Sequence, residues 1–135
     1  MMQRHRSEWD VTTAEGREAL ERFLMRQMGW EYGLDPHSYS PAWFGEIEGK
    51  RWVMPKGWVF GPTAMITLKQ WALREKDITI LSKYDRDVNG EWGYAEAWWY
   101  TGYGEDASVN ARADDEPTAV ALALARALEE MGKAS

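Results

Sequence analysis

Two stretches of the chain combine residue types that could do chemistry. The first runs Gly49-Lys50-Arg51-Trp52-Val53-Met54-Pro55-Lys56-Gly57-Trp58-Val59-Phe60-Gly61-Pro62-Thr63. Lys50, Arg51 and Lys56, with the free backbone amides of a helix starting near Thr63, would attract phosphate oxygens. Trp52 and Trp58 would offer faces for bases to stack on, at ~1–3 kcal/mol each. A solvated hairpin whose lysines keep an edge from pairing accounts for the same residues. The second stretch is the aromatic run from Trp92 to Thr101. Alternate residues of a strand share a face, which sets Trp92, Tyr94, Trp98 and Tyr100 on one side and Gly93, Ala95 and Ala97 with Trp99 on the other. The small side suits a packed helix, and the aromatic side is left for a second layer or a partner. The candidate ligand-binding residues are therefore Lys50, Arg51, Trp52, Lys56, Trp58, Thr63, Trp98 and Tyr100.

Other spellings of chemistry are weaker. Asp85-Arg86-Asp87-Val88-Asn89-Gly90 with Glu96 fits the calcium loop, with oxygen ligands at alternate positions and a glycine at the bend. That loop needs a flanking helix on each side, whereas here the flanks read as strands and Asn89-Gly90 is a favoured two-residue hairpin turn. Gly102-Tyr103-Gly104-Glu105-Asp106-Ala107 spells a dinucleotide fingerprint, but no helix follows and two carboxylates stand where pyrophosphate would lie. His5 and His37 are the only histidines, and neither has a serine, cysteine or second ligand spaced to make a nucleophile–base pair or a metal site. Asp114-Asp115-Glu116 suits the start of a helix better than one half of a glycosidase pair. No complete catalytic constellation, metal site or cofactor site is expected.

With 135 residues the chain has material for one core, so a single domain spanning 1–135 is expected. It has no cysteine, which leaves packing to hold it together and fits a reducing compartment. The start is basic but lacks the apolar stretch of a signal peptide, and no segment approaches the ~18 apolar residues of a membrane span. The net charge of −6 argues against general nucleic-acid binding, yet it is unevenly spread. Residues 50–86 hold eight Lys/Arg against three Asp/Glu, whereas residues 87–135 hold three against ten. The basic island coincides with Trp52, Trp58, Phe60, Trp71 and Tyr84. Nine tryptophans exceed what a core of this size requires.

The elements that must position these residues follow from periodicity and punctuation. A first helix is expected from Thr12, where Thr12-Thr13-Ala14-Glu15 reads as a capping box; Leu20, Phe23, Leu24 and Met28 form its apolar face and Gly29 its left-handed end. Trp30 and Tyr32 lead into a loop containing Asp35-Pro36-His37 and Ser40-Pro41. Residues 51–54 and 58–60 read as extended, with Pro55-Lys56-Gly57 a hairpin or irregular turn between them. A second helix starts near Pro62 with Met65, Leu68, Trp71 and Ala72 at helical spacing. Three strands follow as a meander, over 78–81, 92–101 and 107–113. A closing helix from about Glu116 is apolar at Val120, Leu124, Ala127, Leu128 and Met131, with Gly132 expected to stop it. The expected fold is α+β, a compact antiparallel sheet sandwiched by helices, in the order α, β-hairpin, α, βββ, α.

Three blocks resemble the phage ABA sandwich domain family, small proteins of bacteriophages and prophages. Met25-Arg26-Gln27-Met28-Gly29-Trp30 is similar to the family's first-helix ending, Pro62-Thr63-Ala64-Met65 through Trp71 to Lys76 to its tryptophan-bearing middle helix, and Ala113 to Met131 to its alanine-rich closing helix. The cysteine frequent in that last helix is absent here. The resemblance implies a phage origin, helices about a central sheet and residence in the host bacterial cytoplasm. With no catalytic constellation, it also points to a non-catalytic protein that antagonises bacterial defence by sequestering an anionic nucleotide signal. The alternative is an inhibitor that occludes a host defence protein through its acidic or aromatic surface. A calcium-binding loop protein or a nucleotide-cleaving enzyme stands third.

Overall fold

The computed structural model describes residues 9–134, so His5 lies outside the described residues. The first helix, α1 (Ala14–Gln27), is capped by Thr13, whose Oγ1 accepts from the Gly16 N–H at 3.0 Å. The cap thus falls one residue later than expected and is one-sided, because the position three residues on is Gly16 and has no carboxylate to close a capping box. Thr12 is unavailable because its N–H and hydroxyl both donate to the Asp10 carboxylate. The helix ends where expected, with Gly29 at φ +82°.

The segment expected as a loop contains two strands. β1 (Glu31–Leu34), β2 (Pro41–Ile47) and β3 (Lys50–Pro55) form one antiparallel sheet in that order. The Glu48-Gly49 link has φ of 50° and 81°, the doubly left-handed geometry that matches the twist of hairpin strands. The expected pairing of 51–54 with 58–60 does not form. β3 pairs back onto β2, and Trp58–Phe60 is a single 3-10 turn. The cause is packing: Val59 is fully buried in the core while Trp58 stacks on buried Trp30 at 5.6 Å between centroids. A strand would send neighbours 58 and 59 to opposite faces, whereas a tight turn can bury both.

Beyond it lie α2 (Pro62–Lys76), then β4 (Thr79–Asp87), β5 (Gly90–Tyr100) and β6 (Asp106–Ala113), and finally α3 (Glu116–Ala134). The last three strands form the expected antiparallel meander. Its first link is Val88-Asn89, one residue earlier than expected, since Asp87 pairs with Gly90. Gly132 does not stop α3 but lies within its last turn. The class is α+β as expected, with two three-stranded sheets where one was anticipated.

The core is built around α3. Every residue from Thr118 to Ala125 is buried, so this part of the helix is apolar all round rather than along one stripe. Gly93, Ala95, Ala97 and Ala111 pave the sheet beneath it, and small residues there let helix and sheet approach closely. Leu20, Leu24 and Met25 of α1, Leu68 and Ala72 of α2, and Ile78 and Ile80 complete the cluster. Trp30, Trp43, Ile47 and Met54 tie the first sheet to it.

Candidate functional site

Because α3 occupies one face of the β4–β6 sheet, the other face carries the even residues of β5. Among the described residues nothing packs over them to make a second layer. Trp98 is 39% exposed, Tyr100 61% and Leu81, opposite Glu96 on β4, 60%. The rings are held in place by the sheet and by each other's polar groups. The Glu96 carboxylate accepts from the Tyr94 hydroxyl at 2.7 Å on one oxygen and from the Trp98 indole N–H at 3.0 Å on the other. That bond also raises the Tyr94 pKa, because the phenol proton is shared with a carboxylate. At the far end Trp92 lies under two cations, with the Arg112 guanidinium 4.1 Å and the Lys83 ammonium 5.6 Å from its ring centre. Arg112 is further held by Asp87 at 3.2 Å and Lys83 by Asp85 at 3.2 Å. The result is a sheet face with an aromatic row, a charged end and few free rotors.

The basic segment is split up by folding. Lys50, Arg51 and Trp52 lie on β3, an outer strand of the other sheet. Lys56 is engaged by Glu18 of α1, an ion pair that raises the lysine pKa and lowers that of Glu18. Trp58 is partly buried, with one ring face taken up by the stack on Trp30. Thr63 is exposed in the first turn of α2. Trp98 and Tyr100 belong to the other sheet altogether. The eight candidates therefore do not converge on one site.

A groove of about 800 Å³ adjoins Arg51. It runs between β2–β3 and α2, lined by Arg51, Arg74, Trp71 and Gln70 but also by Glu31, Glu46, Glu48 and Glu75. Arg74 is paired with Glu48. Carboxylates outnumber guanidiniums around it, so it is a poor receptor for several phosphates, whose charge needs unpaired cations.

One buried group escaped the sequence reading. Glu21 of α1 accepts from the Gly57 N–H at 2.7 Å, and the Trp43 indole N–H faces the same carboxylate without completing a hydrogen bond. Burial raises its pKa; these N–H groups, the Val59 N–H and Lys56 oppose that rise. Its place at the start of the 58–60 turn makes it a tie between α1 and that turn. Only its position between Leu20 and Leu24 signalled burial. The carboxylate cluster caps a helix, as expected: Asp115 Oδ1 accepts from the Thr118 N–H at 2.8 Å. His37 lies exposed in the β1–β2 turn. The 85–96 segment is a hairpin, in which Glu96 stands four residues along β5 from Trp92, the partner of Asp85, or about 13 Å at ~3.3 Å per residue.

Compared with known protein families, curated proteins and solved structures, the chain has no match. No helix among the described residues is long and apolar enough to cross a membrane.

Proposed function

We propose that this chain is a non-catalytic binding protein whose partner is another folded protein, engaged through the outer face of the β4–β6 sheet. The observation that carries this reading is the exposed row of Trp98 and Tyr100 beside Leu81, continued by Tyr94 and Trp92 beneath Arg112. Aromatic residues and arginine dominate the binding energy of protein interfaces, and such rings, already fixed by Glu96, lose little freedom on docking. A sheet face is broad, whereas small ligands are held in concavities. Its charge bears on the partner: Lys83 and Arg112 face Asp85, Asp87, Glu96 and Asp106, a balance that disfavours a polyanion. The resemblance to phage sandwich proteins makes a host defence protein the expected target and its occlusion the expected effect, in the host cytoplasm. The second reading, sequestration of an anionic nucleotide, is favoured by the groove beside Arg51 and Arg74 and weakened by its four glutamates.

The test compares wild type with Trp98→Ala/Tyr100→Ala and with Arg51→Ala in capture from a bacterial lysate and in a defence assay. Circular dichroism and melting check that each variant is folded. Loss of a defined partner and of activity in the aromatic variant alone supports the proposal. An aromatic variant that keeps both would overturn it. For the second reading the protein is incubated with cyclic and linear nucleotides and heated to release them. Intact nucleotide recovered from wild type but not from Arg51→Ala would replace the protein partner by a sequestered signal, and altered products would indicate an enzyme.

A further inference from the structure

We propose a second recognition surface: the free edge of β3, which accepts an extended acidic segment of a partner protein as an additional antiparallel strand. It is separate from the aromatic face and does not depend on that reading. Among the described residues β3 is an outer strand, hydrogen-bonded to β2 on one side only. An outer strand presents a row of unpaired N–H and C=O groups, a template for another chain unless it is short, twisted away, covered or guarded by charge or proline. Lys50 and Arg51 guard this edge against neutral and basic chains but not against an acidic one. Here six residues run without a bulge, all but Met54 are exposed, and they include Trp52 at 45% and Val53 at 48%.

The side chains indicate what would be added. Among the described residues Lys50 and Arg51 carry no ion pair, as is also true of Lys69, Lys76 and Arg86, whereas Lys56, Arg74, Lys83 and Arg112 are each matched to a carboxylate. Lys50 and Arg51 are distinguished by sitting together on an open strand edge that carries no carboxylate. As neighbours on a strand the two cations project to opposite faces, so one acidic residue on each face of an added strand would meet them. An antiparallel segment reads β3 backwards. It would therefore place two apolar residues against Val53 and Trp52, followed by two acidic residues against Arg51 and Lys50. Pro55, lacking an N–H, marks where the pairing ends.

A second copy of this chain fits less well. Two β3 strands related by a two-fold at Trp52 would set Arg51 against Val53 and Lys50 against Met54, leaving both cations unmatched. Each copy also carries a net charge of −6. The edge strand itself carries Lys50 and Arg51 and no carboxylate, the groove glutamates belonging to β1, β2, the link between β2 and β3, and α2. At the edge an acidic, extended peptide is therefore selected, the mode in which main-chain bonds supply affinity and alternate side chains supply specificity.

The probe is a blocked peptide with valine, tyrosine, glutamate and glutamate in that order between threonines, titrated into the labelled full chain and followed by amide NMR. Shifts and slowed exchange confined to residues 50–55 are expected. Binding should weaken as salt rises, fall about fivefold or more in Arg51→Glu and in Lys50→Glu, and vanish when proline replaces the valine set against Val53, whose N–H points at the β3 edge. Trp98→Ala, folded and on the other sheet, should bind the peptide as wild type does. The proposal is overturned if lysines in place of the glutamates bind equally, if the shifts fall on β5 instead, or if no shift appears at millimolar peptide. It is also overturned if shifts at 50–55 depend on protein concentration without peptide, which would assign the edge to a second copy.

Discussion

Gly93→Ala is the sharpest test of which side of β5 faces the core. A methyl group built at Gly93 would lie 2.3 Å from the carbonyl carbon and oxygen of Asp115 and from the nitrogen of Glu116. Carbon contacts are comfortable near ~3.5–4.0 Å, so relief needs about 1.2 Å of separation. None of the three atoms is a side-chain tip that could swing aside; all belong to the start of α3. Moving them displaces the Asp115 cap and the buried turn at Thr118. Overpacking against an immobile neighbour costs ~1–3 kcal/mol, which in a chain of this length lowers the melting temperature by about 4 °C per kcal/mol. Trp98→Ala deletes a far larger side chain, yet an exposed one, and should stay within ~0.5 kcal/mol of wild type. Thermal and urea unfolding of both variants decide the matter. If Gly93→Ala melts with wild type, or Trp98→Ala is the more damaged, α3 does not cover the small face and the aromatic face is not free.

Leu124→Ala, at a fully buried position in α3, should cost ~2–5 kcal/mol in urea titration, while exposed Lys133→Ala should leave the midpoint unchanged. Burial raises the Glu21 pKa, so the folded state holds that proton more tightly than the unfolded chain and stability falls as pH rises from the ordinary glutamate range through the folded value. Glu21→Gln, which can still accept from Gly57, should match wild type below that range and exceed it near neutrality; urea midpoints at several pH values showing the opposite trend would refute this. The 85–96 hairpin predicts no micromolar calcium affinity, and calorimetric binding abolished by Asp85→Ala with Glu96→Ala would contradict it.

Much of the fold was legible because its signals are local. The apolar repeats of α1, α2 and α3 and the strict alternation along β6 report periodicity that a helix or strand imposes on its own residues. The small and large sides of β5 were equally plain. β1 and β2 were not, because Gly33, Pro41 and Gly45 interrupt their apolar pattern, Pro36 marks the link as a loop, and their pairing depends on residues seven to thirteen apart. The Glu48-Gly49 hairpin escaped notice for a related reason. Glutamate is no signal for a left-handed residue, and the strands on either side impose that conformation.

The candidate residues show the same division. Sequence alone established which of them are aromatic or cationic, that Trp98 and Tyr100 share a face with Trp92 and Tyr94, and that the small side of β5 could receive a helix. These are properties of one strand and its two-residue period. Whether the aromatic side is free, whether Trp58 faces solvent or Trp30, and whether Lys56 is available or tied to Glu18 were decided by tertiary structure. Each depends on a neighbour far along the chain, Glu18 lying 38 residues from Lys56. Adjacency in sequence had gathered Lys50, Arg51, Lys56, Trp58 and Thr63 into one site. Folding dispersed them chiefly because burying Val59 and stacking Trp58 on Trp30 fix the turn between β3 and α2, which parts Lys56 and Thr63 from Lys50 and Arg51.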